Sequence, residues 1–567
     1  MLSALLLICS PLAPTLGADY LFRITDPKEE LVACSAHLQG LSGPLVVGLP
    51  ERFAYASPSE PRLQGEVRIG QDQGTIERTG PFSWRLEPSG SSVDLSWIVP
   101  LDHRSLPEAL RSSYELPYME ADHAFLVTAV LAIAPQGPAS KSTGEIRVRL
   151  ELPDEWKAVV PWPEVAPGVF SPTSVTQLQN DLIAAGNWTV SRAHAAGVDL
   201  SVAIAPGQRA LGPEIVEKIG AVVEREIQLF GRVPNAHYAF FFGNSEMGGL
   251  GGSVKTSSMT LLVDANMPAD FVAENILHLI AHEYHHTWMQ SLATPPNMDE
   301  VRFLGEGFTD FYAYLVPWWL GFDGDAKLLA TLEGKLADFE VNQTARTRSL
   351  VEAGGPTFFT DPSASATVYS GGLVLALLSE IAIQRAQEEG SGTASLNHVL
   401  REFFDGPVDN ASGSAGLQRL LSLLTRYAGA GFSDQANNFV NHKGAVDLLA
   451  AFAQLGLEVK RSEAPCDLSS LRANMGGTTL LGIDSSGVAQ RVGLRSGDRL
   501  LMVNGKHVTT EAEVRLAWQV PEEDQIRVLF ERDGEEQEID LPRPMDIRYS
   551  LPSEVLGILR RAEANAQ

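Results

Sequence analysis

Through the first third of the chain, apolar residues come in short runs broken by Gly, Pro, Ser and Asp. The runs YLFRI, LVACSAHL, PLVVGLP, EVRIG, SWRLEP, VDLSWIVPL, HAFLVTAVLAIAP and EIRVRLELP fall between 19 and 165. Short, closely spaced runs of this kind predict strands, and eight of them predict a sandwich or open barrel. From 166 to 265 the pattern mixes. VDLSVAIAP and HYAFFFG predict strands, GPEIVEKIGAVVEREIQLFG predicts an amphipathic helix, and GGSVKTSSMTLLVD predicts one further strand behind turn glycines. From Pro268 to about Ala453 the helical period dominates. Pro268 suits the first turn of a helix, and Asp270 and Glu274 favour its positive end. That helix should run to about Leu292, where TPPN stops it. Past 465 the texture returns to strands around one helix-like segment, EAEVRLAW.

Composition narrows the classes. With 567 residues the chain exceeds one core, and the usual domain size predicts roughly three or four domains. A net charge of -27 argues against nucleic acid or an anionic membrane as partner, since both would repel it. The first eighteen residues, MLSALLLICSPLAPTLGA, are apolar and end in small residues before Asp19, the layout of a secretory signal. Their lack of Lys or Arg departs from that layout. Secretion or a periplasmic location is therefore expected, with no transmembrane helix in the mature chain. After cleavage two cysteines remain, Cys34 and Cys466, far apart and expected as free thiols.

The chemistry concentrates in LHLIAHEYHHTWMQ and LGEGFTDFYAYL. His282 and His286 are four apart, so on a helix both imidazoles converge on one point. Neutral imidazole is a good zinc ligand, and Glu283 beside the pair can take a proton from a metal-bound water. Glu306 lies far enough downstream to bring a carboxylate to the same ion from a second helix. Two His and one Glu leave a fourth position for water, which points to a hydrolytic zinc site with one Zn2+ per chain. Asp310, one helical turn after Glu306, can accept from the far nitrogen of a liganding His and fix its tautomer. A solvated helix face is the plain alternative for both carboxylates. Their neighbours Phe303, Leu304, Phe308, Phe311, Tyr312 and Tyr314 argue for a half-buried setting instead. His278 and His285 lack the following Glu: His285 is expected to pack or face solvent, and His278 to pack on its helix, with contact to the groups behind the ligands as the alternative.

HEYHHTW, EGFTDFY and YSGGLVLALL, followed by GLRSGDRLLMVNG, resemble the glycyl aminopeptidase family of zinc peptidases; the last segment resembles the PDZ signature. The resemblance implies a multidomain α+β fold: a β-sandwich-like domain over 19–165, a thermolysin-like mixed and helical catalytic domain over 166–460, and a PDZ-like domain over 465–545. A signal over 1–18 precedes these, and a tail over 546–567 follows. It implies that His282, His286 and Glu306 bind zinc, that Glu283 is the general base and that Tyr369 donates to the oxyanion. A packing role at the head of GLVLALLSEIAI is the alternative for Tyr369. One departure stands out. Relatives carry Gly-Gly-Leu-Glu-His where this chain has Gly248, Gly249, Leu250, Gly251, Gly252 and Ser253. Gly251 cannot pair with a substrate's amine, whereas Gly248, Gly249, Gly251 and Gly252 allow a backbone to approach a longer peptide closely. The expected function is peptide-bond hydrolysis by a Glu-activated zinc-bound water. An aminopeptidase with another amine anchor, or a PDZ-based scaffold with a structural zinc, are the alternatives. Expected partners are a peptide or protein substrate and a peptide ligand at the PDZ-like domain.

Overall fold

The computed structural model describes residues 16–50, 63–102, 116–141, 143–208, 211–244, 250–264, 267, 269–289, 297–342, 344–390, 392–405, 415–444, 446–465, 473–483, 493–518, 525–542 and 545–566. They form two compact units: one holds the described residues up to 208 with 235–244 and 251–264, and the other holds 211–234, 250 and those from 267 onward.

In the first unit, strand Leu16–Arg23 lies between Leu31–Gln39, antiparallel, and Thr143–Glu151, parallel, inside a seven-stranded sheet. A four-stranded sheet built around Leu45–Gly48 and Ser83–Pro88 shares its core, because Val47, Trp84 and Leu86 pack with Phe22, Val32, Leu95 and Trp97. The alternating burial of Ser92–Pro100 is the reason its odd positions face that core. Most residues of the expected signal lie outside the described residues, though the strand already begins at Leu16. The HAFLVTAVLAIAP run breaks after Val127. Its continuation Thr128–Leu131 is a helical turn whose Thr128 hydroxyl donates to Asp181 O and accepts from Asp181 N, so hydrogen bonds to a distant segment override the strand pattern. Asp181 is fully buried and also holds Ser257, Ser258 and Trp162.

A five-stranded sheet completes this unit in the order Thr189–Ala195, Val198–Ile204, His237–Asn244, Ser258–Val263, Leu250–Val254. GGSVKTSSMTLLVD is thus two strands rather than the single strand expected. The turn between them closes where Lys255 N donates to Ser258 O at 2.6 Å.

The second unit is mainly helical. Its principal helices are α1 (Ile215–Phe230), α2 (Ala269–Met289), α3 (Thr309–Trp319), α4 (Asp325–Val341), α5 (Pro362–Gly390), α6 (Leu396–Asp405) and α7 (Glu554–Ala566). Helix α5 has a mean hydropathy of 1.7 over its apolar window, enough to cross a membrane by length and composition. Because 89% of that window is buried inside the protein, α5 is a core helix. The residues from 546, expected as a tail, instead extend strand Met545–Ser550 and form α7. That strand pairs with Lys460–Pro465, and the ribbon is tied to α4 through Arg461 and Tyr549 on Glu340.

The small C-terminal domain follows its signature. Asn504 and Gly505 both take positive φ, 50° and 71°, in the tight turn between Arg499–Val503 and Lys506–His507. Asp498 is buried and accepts from Arg532 through both carboxylate oxygens at 2.7 Å, which fixes the Gly-Asp turn. Leu480, Leu500, Val514, Trp518, Val528 and Phe530 form its core. Cys34 is a free, buried cysteine, and Cys466 lies outside the described residues.

Candidate metal centre

Helix α2 presents His282 and His286 on one face, one turn apart, as their spacing requires. Their Nε2 atoms are 3.1 Å apart. Glu306 comes from the next helical segment at an irregular point. Residues Leu304–Phe308 form a π turn between helix Asn297–Phe303 and α3. The wider turn is the kind of local distortion that re-aims a side chain at a functional position. It directs Glu306 Oε2 to 3.6 Å from both His282 Nε2 and His286 Nε2. The three donor atoms lie within 4.8 Å of one another.

Glycines make this approach feasible. A Cβ on Gly307 would fall 2.4 Å from Gly372 Cα, and one on Gly372 would fall 2.3 Å from Phe303 O. Helix α5 therefore touches the π turn backbone to backbone. Three residues upstream of Gly372 on α5, Tyr369 reaches the site. Its hydroxyl hydrogen-bonds Glu306, and its ring lies 5.9 Å from that of His282 at 27°.

Asp310 is buried behind the histidines. Its Oδ1 is 2.9 Å from His282 Nδ1 and 3.4 Å from His278 Nε2, while Oδ2 is 3.4 Å from Lys335 Nζ on α4. His278 is thus more than a packing residue, since it touches the same carboxylate and stacks on Tyr314 at 4.0 Å. Lys335 was not legible in the sequence, because nothing in α4 marks it as facing Asp310. His285 does pack, as expected. It sits fully buried with Nδ1 2.8 Å from Glu226 Oε2 on α1.

The electrostatics follow from burying charges together. Burial disfavours the carboxylate of Glu306, yet the close approach of His282 and the charge on the two histidines bring its pKa down to about 2. Burial, with the charge of His282 adding to it against Glu306, pushes His286 down to about 4. For His282 burial is outweighed by Asp310 and Glu306, and the pKa rises to about 10. A buried pair of carboxylates thus demands a cation between them, and a proton on His282 meets that demand. The donor set fits a divalent ion equally well, since two imidazole nitrogens and one carboxylate oxygen meet at one point with Asp310 behind.

Glu283 follows His282 on α2 and is buried. Gly251 and Gly252 lie in the edge strand Leu250–Val254 of the first unit, and Gly248 and Gly249 lie outside the described residues.

Two family models and several solved structures match this chain. Residues 275–374 match the family model of the M61 glycyl aminopeptidases, and residues 481–532 match a PDZ domain model. A solved aminopeptidase N family protein from Idiomarina loihiensis superposes with a TM-score of 0.70 at 18% identity, covering 96% of this chain and 100% of its own. An M1 zinc metallopeptidase from Deinococcus radiodurans, solved with a Tyr-Ser-Ala substrate, gives a TM-score of 0.45 at 16% identity over 76% of this chain and 95% of its own. No curated protein matches. Fold and site together define the class, a metallopeptidase carrying a PDZ domain. The glycyl aminopeptidase resemblance read from HEYHHTW, EGFTDFY and YSGG is the one that the family comparison returns.

Proposed function

We propose that the protein is a zinc-dependent peptidase in which His282, His286 and Glu306 hold one zinc ion per chain. The observation that carries this reading is the convergence of those three donors within 4.8 Å, beside the buried Glu283. Bound there, zinc would act as a Lewis acid toward the scissile carbonyl. The protein's own groups do the rest. Glu283 takes a proton from the attacking water and passes it to the leaving amine. The Tyr369 phenol donates to the oxygen that gains charge, and Asp310 keeps His282 oriented through Nδ1. Removing zinc with a chelator should abolish cleavage of a test peptide, and adding zinc back should restore it. Cleavage that persists after zinc is removed would overturn the reading.

Replacing Tyr369 by Phe tests the oxyanion role. The expected result is a fall in kcat of about 10²–10³-fold, as for other single oxyanion donors, with little change in KM. An unchanged kcat would leave Tyr369 only as the hydrogen-bond partner of Glu306.

The terminus requirement has two readings. Gly251 offers no side chain for a substrate ammonium, which favours hydrolysis that does not depend on a free N-terminus. The family match over residues 275–374 favours an aminopeptidase with its amine anchor elsewhere. Free and N-acetylated forms of one peptide separate them. We expect both to be cleaved, and rejection of the acetylated form would assign the aminopeptidase. Export to the periplasm or outside the cell, directed by residues 1–18, belongs to the same proposal. Protein recovered from an export-competent host should begin near Asp19.

A further inference from the structure

We propose that Glu226 is a positioning residue for the metal centre, acting through His285 to fix the rotation of α2; this rests on the zinc reading above. Helix α1 carries Val222, Val223, Ile227 and Phe230 on its buried side, and Glu226 falls within that apolar stripe. A carboxylate there is costly unless it is satisfied. Its partner is His285, with Nδ1 2.8 Å from Glu226 Oε2 and neither side chain exposed at all. The imidazole is held on its faces as well. Tyr312 of α3 stacks on it at 5.3 Å and 17°, and Phe230 of α1 meets it edge-on at 4.9 Å.

His285 sits directly before His286 and two residues after Glu283. Residues 282–286 span little more than one helical turn and cannot rotate independently, so clamping His285 fixes the direction of His282, Glu283 and His286 together. The lever is short. At a side-chain radius of about 5–6 Å, a rotation of roughly 10° moves a donor atom by about 1 Å. Zinc–nitrogen distances tolerate about 0.2 Å, so a slip of that size removes a ligand. Hydrophobic packing alone resists such slippage weakly, because apolar contacts are not directional. The buried hydrogen bond is directional, and it joins α1 to α2 at the ligand-bearing turn.

The pair is distinct in kind from Asp310. Asp310 touches a ligand and orients its ring about the side-chain bonds, whereas Glu226 touches no ligand and orients the backbone that carries three of the site's residues. It also sits beside Arg225, whose Nη2 is 2.9 Å from Glu563 of α7, so this part of α1 is pinned from both sides.

The test compares Glu226→Ala and Glu226→Gln with the wild-type full chain, measuring zinc affinity by competition with a chromogenic chelator, kcat and KM on a peptide, and the melting temperature. Glu226→Ala is expected to weaken zinc binding by about 10–100-fold, the range for outer groups of metal sites. It should lower kcat at saturating zinc with KM nearly unchanged. Glu226→Gln keeps an oxygen that accepts from Nδ1 and should recover most of both. A purely structural role would lower the melting temperature of Glu226→Ala while leaving zinc affinity and kcat of the folded protein at wild-type values, and that result would overturn the proposal. Equal defects in Glu226→Ala and Glu226→Gln would overturn it too. Should the wild type bind zinc and cleave nothing, the peptidase reading fails while the affinity comparison still decides the role of Glu226.

Discussion

Exchanging Glu283 for Gln is expected to leave zinc bound and to remove hydrolysis. The amide keeps the size and hydrogen-bonding reach of the carboxylate, and Glu283 is not among the three converging donors, so the metal site stays whole. What is lost is a base. An amide cannot take the proton of the attacking water, and it has none to give to the leaving amine. General acid–base catalysis contributes about 10²–10⁴-fold, and in the proposed mechanism one residue performs both transfers, so kcat should fall toward the upper end of that range. Zinc content measured by elemental analysis and turnover on one peptide settle the matter together. A Gln variant that cleaves at the wild-type rate would remove Glu283 from the mechanism. A variant that has lost its zinc would mean that the residue supports the ion as well.

Replacing Gly372 by Ala should have the next largest effect, on stability as much as on activity. The added Cβ would lie 2.3 Å from Phe303 O and 2.9 Å from Gly307 Cα. Both are backbone atoms, so no side chain can swing aside to relieve the overlap. Helix α5 and the π turn must separate, and overpacking of this kind costs about 1–3 kcal/mol. Glu306 rides on the turn and Tyr369 on α5, so separation also pulls apart their hydrogen bond. The expected outcome is a lower melting temperature with weaker zinc binding and a lower kcat. Gly307→Ala meets the same contact from the other side and should behave alike. Wild-type melting temperature and zinc affinity in both variants would show that the two segments have room to adjust.

The convergence of His282, His286 and Glu306 was legible because helical spacing and ligand chemistry coincide. His282 and His286 need only the period of a helix to converge, and Glu306 and Asp310 stand out as carboxylates among aromatic residues. The π turn was not legible. It depends on the close contact of Gly307 with Gly372, residues 65 apart in the chain, and propensity carries no such information. Helix patterns were equally readable along α1, but the meaning of Glu226 was not. Its place on the apolar stripe signals a buried partner, and only the packing of α1 on α2 identifies His285.

Strands fared unevenly for a physical reason. Runs bordered by turn residues, such as Ser83–Pro88, matched their pattern. The apolar stretch after Val127 did not, because Thr128 engages Asp181 and turns the chain. Parallel pairing of Leu16–Arg23 with Thr143–Glu151 joins distant segments, which alternation along one strand cannot reveal. Nor does alternation tell whether residues past 545 dock. Helix α7 does so by placing Glu554 against Arg385 and Glu563 against Arg225, partners that lie far upstream.

His282, His286 and Glu306 are proposed to hold a catalytic zinc ion. The most direct test is a titration of the metal-stripped full-length protein with zinc, following bound metal and peptide cleavage in the same samples. Cleavage should rise from zero in step with zinc and level off at one ion per chain, and Glu306→Ala should remove both. Folded protein that binds no zinc, or cleavage that is independent of the ion, would contradict that assignment.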